Sequence, residues 1–275
     1  MFETVDYNKF NDLLMVHYSC VMEGSTLSVH DTEMLITQNI TPEGKPLEHS
    51  LMTSDHYAAL LKVNELAKNP KLKFSHALIK DIAATVMRRT GEKVNTPLGT
   101  YDKVLGEYRL NNVPSIGGHY YISYDKVSAS MDKLIQTVNE TLPKVQSPDD
   151  VFALASYTHL ESLTIHPLGD GNGRTARLLN NLILLNKKMP TLVIDAEKKG
   201  KYIEAIKTSR EQGTIDAFND FLKTEYIEYW EKEFFCIKRR ILVEVKDSCL
   251  QFFELICILI TILTQSPYNI VFKSC

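Results

Sequence analysis

The chain has 275 residues, of which 44% are hydrophobic and 24% charged, and a formal net charge of -3. This is enough chain for one large domain or one domain with appendages, with the composition of an ordinary globular protein. The charge balance gives no basic footprint, so nucleic acid is not an expected partner. The opening stretch MFETVDYNKF has neither a cationic nor an apolar leader segment, so no secretory signal is expected. Cys20, Cys236, Cys249, Cys257 and Cys275 form no C-x-x-C pair and are odd in number. That argues against a disulfide frame or a zinc site and leads us to expect a reducing cytoplasm.

Helical periodicity dominates the chain. Phe10, Leu13, Leu14, His17, Tyr18 and Val21 recur at helical spacing and predict a helix over residues 5–23, with Gly24 as its stop. Ser28, three residues before Asp31, predicts a capped start for a short helix over 31–38. Residues 41–46, rich in proline and glycine, read as a loop, and helices are expected over 54–68 and 75–89. Residues 95–118 read as irregular, with a hairpin expected around 113–122, and 126–141 as helical. Ser147, Pro148, Asp149 and Asp150 supply an N-cap, a first-turn proline and two carboxylates at the positive end of the dipole. They predict a helix from 148 to 165, ended at His166 by Pro167. Further helices are expected over 172–188, 197–212 and from 214 onward. The expected fold class is therefore all-α, with at most one small β-hairpin. Residues 250–263, LQFFELICILITIL, are strongly apolar. They are shorter than the roughly 18–20 residues of a membrane span and are interrupted by Gln251 and Glu254. A buried helix or an interface is expected there, with a membrane-surface segment as the alternative, and a membrane span is not.

The informative segment is residues 166–177, HPLGDGNGRTAR. Gly169, Gly171 and Gly173 allow positive φ and let a ligand approach the backbone without a Cβ in the way. The loop enters a helix N-terminus, where unpaired N–H groups and about half a positive charge make an anion site. Arg174 and Arg177 share one face of the first turn and oppose the dipole unless an anion sits there. Asp170 places one hard carboxylate beside this cradle, the way Mg²⁺ is commonly held together with substrate phosphates. His166 adds a group that titrates near neutrality. The pattern is neither G-x-x-x-x-G-K-[ST] nor a dinucleotide fingerprint following a strand.

This segment resembles the signature of the Fic family, H-x-F-x-[DE]-G-N-G-R-x-x-R, with Leu168 standing where the family usually has phenylalanine. The resemblance extends more loosely over residues 10–230. It implies a mostly helical bundle with a β-hairpin flap, and a protein adenylyltransferase that moves AMP from ATP to a Ser, Thr or Tyr hydroxyl of a target protein. By the same resemblance His166 would take the proton of the target hydroxyl and Asp170 would hold Mg²⁺. Asn172, with the backbone of Gly171 and Gly173, would bind the α-phosphate, Arg174 the β-phosphate and Arg177 the γ-phosphate. The segment from Gly106 to Arg109, followed by Val113, Pro114, Ser115 and Ile116, resembles the flap that pairs with an extended stretch of the target. Tyr202 resembles an aromatic residue lining the adenine pocket; ordinary core packing is the alternative. Leucine at 168 keeps the apolar anchor with less volume.

Ser19, Glu23 and Gly24 resemble the family's inhibitory motif [ST]-x-x-x-E-[GN]. The resemblance implies that Glu23 pairs with Arg177 and keeps ATP in an unreactive pose. It divides the chain into an N-terminal helical region over 1–95, a catalytic core over 96–230 and a C-terminal tail over 231–275 with no assigned role. Alternatives of other kinds stay open: removal of AMP using the same site with Glu23 orienting a water, a different nucleotide base, or a non-catalytic nucleotide-sensing module. Whether the chain forms a homo-oligomer is not legible in the sequence.

Overall fold

A computed structural model describes residues 7–114 and 121–246, apart from the side chains of residues 7, 8 and 235–246. Among the described residues the helices are α1 (Tyr7–Met22), α2 (Val29–Gln38), α3 (Leu47–Ala67), α4 (His76–Val86), α5 (Val127–Thr141), α6 (Pro148–Ile165), α7 (Asn172–Asn186), α8 (Lys199–Gln212) and α9 (Asp216–Lys246). The all-α fold class read from the sequence holds.

Helix boundaries follow local chemistry. Ser28 and Asp31 exchange side-chain and backbone hydrogen bonds as a full capping box at the start of α2. Ser75 caps α4 and Ser147 caps α6, each hydroxyl accepting the N–H three residues on. The third helix differs from expectation, because it begins at Leu47 directly after Pro46 and not near residue 54. Ser54 does not cap it: its hydroxyl donates to the Ser50 carbonyl one turn back, inside the helix.

The centre of the molecule is α7, packed most extensively against α6 and crossed by α3. Every residue from Arg174 to Leu184 of α7 is buried, the pattern of a helix enclosed on all sides. Ala176, Leu178, Leu182 and Ile183 form its apolar contribution to the core, with Ala59, Leu60 and Val63 of α3 and Phe152 and Ala155 of α6. One of the polar residues enclosed with them carries a specific task. Asn181 both donates to the Leu192 carbonyl and accepts from the Leu192 N–H, fixing the chain that leaves α7. Truncating a fully buried leucine here would cost about 2–5 kcal/mol.

One hairpin forms in the stretch expected to be irregular, while most of the hairpin expected around 113–122 lies outside the described residues. Strands β1 (Lys93–Thr96) and β2 (Gly99–Asp102) pair antiparallel, from Lys93 opposite Asp102 to Thr96 opposite Gly99. Pro97 and Leu98 form the turn, Gly99 takes φ +126°, and the Thr96 hydroxyl donates to the Gly99 carbonyl. A fixed-φ proline two residues before a glycine was the available turn signal. In the segment expected to form the flap, Val113, Pro114, Tyr121 and Ile122 carry no strand. Ser115 and Ile116 lie outside the described residues, as does the apolar run 250–263. No helix among the described residues is long and apolar enough to cross a membrane.

Candidate active site

The site forms where α6 ends and α7 begins. Pro167 excludes helical geometry from the residue before it, and His166 adopts φ 51°, ψ 59°. A non-glycine residue in this region is uncommon and costs about 1–3 kcal/mol unless its surroundings hold it. They do. The His166 N–H donates to the Ser162 carbonyl, and its carbonyl accepts from Arg109 Nε at 2.8 Å. Arg109 is 1% exposed and uses its other nitrogens on the carbonyls of Asn111, Ile122 and Ile165. The fork geometry of a guanidinium permits this, and one residue thereby ties the backbone on both sides of the site.

The loop after His166 is self-braced. The Asn172 side chain accepts the Leu168 N–H at 3.0 Å and donates to the Leu168 carbonyl at 2.9 Å. The Asn172 side chain, expected to reach a phosphate, is thus committed to holding the loop. Leu168 is buried and bridges to Tyr108, an anchor of the kind expected of that position. Gly169 lies so close against Tyr101 that a Cβ would collide with its ring. Gly171, at φ 75°, is the N-cap of α7 and places no side chain over the helix end. The first N–H groups of α7 therefore face the loop without a side-chain cap, as an anion site requires.

Arg174 and Arg177 are 3% and 5% exposed. Arg174 touches the Val86 carbonyl at 3.4 Å and the Met87 sulfur, its nearest carboxylate is Asp170 at 3.9 Å, and its Nε has no partner. A buried cation left this incompletely paired is costly, and an incoming polyphosphate would satisfy it. Arg177 is fully engaged. Its Nε donates to Ser19 Oγ at 2.7 Å, and its Nη2 donates to the Ser19 carbonyl at 3.0 Å and to Glu23 Oε1 at 2.6 Å. Burial pushes the Glu23 carboxyl up, but the charge and hydrogen bond of Arg177, aided by Arg174 and Lys199, outweigh it and leave the pKa lowered. Burial likewise pulls Arg177 down, and Glu23 more than restores it. The Glu23 side chain remains 34% exposed. Lys199 donates to the Met22 carbonyl at 2.6 Å and so holds the C-terminal end of α1 beside Glu23; Gly24 follows at φ 101°.

The His166 ring is largely enclosed. Burial lowers its pKa to about 4, the Leu163 backbone opposes this, and Arg109 and Arg210 add to the lowering. Imidazole is therefore neutral at neutral pH and able to accept a proton. Asp170 points outward, 56% exposed, at the edge of the loop. No group of three or more His, Cys, Asp or Glu side chains among the described residues could hold a metal. A single exposed carboxylate beside an anion cradle does fit Mg²⁺ that takes its remaining ligands from phosphates and water.

Tyr202 is buried in an aromatic cluster with His159, Phe218 and Phe221. Its hydroxyl meets His159 Nε2 at 2.9 Å, and it also interacts with Arg177. Of the two readings of Tyr202, the surroundings are those of core packing directly behind the arginine. Sequence reasoning did not read the bracing contacts of Arg109 or Lys199, which gain their meaning from elements far away in the chain.

Residues 73–184 match the model of the Fic/DOC family. The chain is 29% identical over 209 residues to the protein adenylyltransferase Fic of Drosophila willistoni, a match covering 75% of this chain and 38% of that relative. The chain thus spans well under half the length of the curated relatives it matches. Among solved structures, a Fic domain-containing signaling protein from Bacteroides thetaiotaomicron superposes with a TM-score of 0.67 at 23% identity, covering 80% of this chain and 84% of that one. Fic-1 of C. elegans superposes with a TM-score of 0.70 at 21% identity, covering 83% and 64%. At these identities the structural likeness shows a shared fold.

Proposed function

We propose that this chain, which belongs to the Fic/DOC family through residues 73–184, is a protein adenylyltransferase restrained by its own Glu23. The observation that carries the reading is the incompletely paired Arg174, buried beside an uncapped helix N-terminus with a neutral imidazole at the head of the same loop. That arrangement calls for a polyphosphate and offers a proton acceptor beside it. The names of the curated relatives support AMP from ATP as the transferred group.

In this reading the N–H groups at the start of α7 receive the α-phosphate oxygens, and Arg174 receives the β-phosphate. His166 takes the proton from a Ser, Thr or Tyr hydroxyl of the target as that oxygen bonds to the α-phosphorus. The bond to the bridging oxygen breaks, and pyrophosphate leaves with its electron pair. A polyphosphate beside His166 favours the protonated imidazole, which brings its pKa from about 4 closer to working pH. Asp170 would hold Mg²⁺ together with the phosphates, and the ion would help neutralise the charge that develops on the leaving group. The rest is positioning and fixed dipoles.

Arg177 would serve the γ-phosphate, but Glu23 and Ser19 engage it. An exposed ion pair is worth about 0–1 kcal/mol, whereas breaking a buried one from one side costs about 3–5 kcal/mol. With one partner enclosed and the other a third exposed, the brake lies between these limits and yields to a modest change near α1. The absence of paired cysteine spacings supports a reducing, cytoplasmic setting.

The test is ATP labelled on its α-phosphate, incubated with cell lysate and each of three proteins. Glu23→Gly should label itself and a target strongly, the wild type weakly, and His166→Ala not at all while still binding ATP. A folded, nucleotide-binding Glu23→Gly protein that transfers no label would overturn the function. Transfer by His166→Ala would remove the proposed base. Release of AMP from a modified target without ATP would identify the reverse activity.

A further inference from the structure

We infer that Tyr121 is a positioning residue for His166, which its ring holds flat and shields on one face. The two rings stack with centroids 4.0 Å apart and 28° between their planes. Both are placed by the same side chain: Arg109 donates to the carbonyl of His166 and, at 2.6 Å, to that of Ile122, the residue after Tyr121. The stack thus joins two backbone stretches that one buried guanidinium has already fixed relative to each other. Arg210 completes it from α8. Its guanidinium carbon lies 5.9 Å from the centre of the Tyr121 ring, and its Nε donates to the Thr164 hydroxyl on α6 at 3.0 Å. Cation–π attraction and offset ring stacking both favour this order.

With its backbone locked, His166 keeps only its side-chain torsions. The stack removes much of that freedom; Nδ1 is buried without a hydrogen-bond partner, which leaves Nε2 to meet a hydroxyl. It also excludes water from the stacked face. The groups that face the imidazole are Tyr121, Arg109, Arg210, Glu23 and the Leu163 backbone. Of these only Tyr121 can be altered without changing a charge or the loop itself. The role in transfer rests on the function proposed above; the role in holding the ring does not.

The experiment is an NMR titration of the His166 ring in wild type, Tyr121→Phe and Tyr121→Ala, with folding followed by thermal melting. Wild type and Tyr121→Phe should titrate alike, near pH 4. Tyr121→Ala should titrate clearly higher, as water reaches the exposed face. In the Glu23→Gly background, Tyr121→Ala should lower kcat by roughly tenfold or more with the KM for ATP unchanged, as expected for lost orientation. Tyr121→Phe should restore it. A folded Tyr121→Ala protein that titrates as wild type does, or a Tyr121→Phe protein that titrates as Tyr121→Ala does, overturns the inference. If no variant transfers AMP, the functional reading fails, while the titration still decides what Tyr121 does.

Discussion

The carboxylate of Glu23 occupies the space that a side chain at Gly173 would need. A Cβ there would overlap Glu23 Oε1 and press on Arg177 Nη1. The two residues are 150 positions apart, yet glycine at 173 is what lets Glu23 reach Arg177. In the function proposed above, a phosphate would approach the helix end through this same space. Gly173→Ala is therefore expected to displace Glu23 without opening the site. Overpacking at an enclosed position costs about 1–3 kcal/mol. Thermal melting should show that loss, and the Glu23 carboxyl, deprived of Arg177, should titrate higher. AMP transfer should not rise as it does in Glu23→Gly. A Gly173→Ala protein as active as Glu23→Gly would show that close backbone approach is not needed.

Ser19 separates holding Arg177 from blocking it. Its hydroxyl accepts from Arg177 Nε at 2.7 Å, and its carbonyl accepts from Nη2. Ser19→Ala leaves the carbonyl and Glu23 in place but strands a buried N–H, which costs about 1–3 kcal/mol. The expected result is a lower melting temperature with self-labelling far below that of Glu23→Gly. Equal release by both variants would mean that the serine, and not the carboxylate, restrains the arginine.

Much of this was legible because the decisive groups are neighbours in sequence. Arg174 and Arg177 sit three apart in the helix that the glycine loop enters, so spacing alone placed them on a common face. Ser28 with Asp31, and Ser147 with Asp150, announced their helix starts through local hydrogen bonding. The start of α3 was misplaced because tertiary burial of Met52 and Thr53 carries the helix back to Leu47. What stayed hidden depends on distant partners. Arg109 gains its meaning from four carbonyls that are collected only when the chain folds. Tyr202 offers a ring whose surroundings, core or ligand pocket, no periodicity can decide.

Arg109 makes a clear case of a charge used only for geometry. It is buried, and its hydrogen-bond partners are backbone carbonyls. Lysine keeps the charge but not the planar fork, and cannot reach His166 and Ile122 together in the same manner. Arg109→Lys is expected to destabilise by about 1–3 kcal/mol, the cost of leaving buried carbonyls without a donor. Freed from its left-handed geometry, His166 should also lose its position. Urea unfolding reads the first effect, and transfer in the Glu23→Gly background reads the second. A lysine variant with normal stability and transfer would show that the carbonyl contacts are incidental.

Histidines set the acid limit of the fold. Burial lowers His166 to about 4 and takes His56 and His159 well below the usual value; for His56 the nearby Arg174 and Arg177 add to this, and for His159 Arg177 does. Below a pH of about 6.5 the unfolded chain binds protons that the native protein refuses, so stability must fall as the pH falls. Each excluded histidine contributes about 1.4 kcal/mol per pH unit in that range, and for His166 the loss is complete near pH 4. Glu23, whose pKa is lowered by its ion pair, adds a further loss below its unfolded value. Glu161 is shifted up by burial and acts in the opposite direction. Urea unfolding at pH 7, 6 and 5 should therefore give a midpoint that drops steadily and ever more steeply. Substituting His56 with glutamine, which does not titrate, should flatten the drop by the share of one histidine. A midpoint constant from pH 7 to pH 5 would mean that these imidazoles are reached by water in the native state.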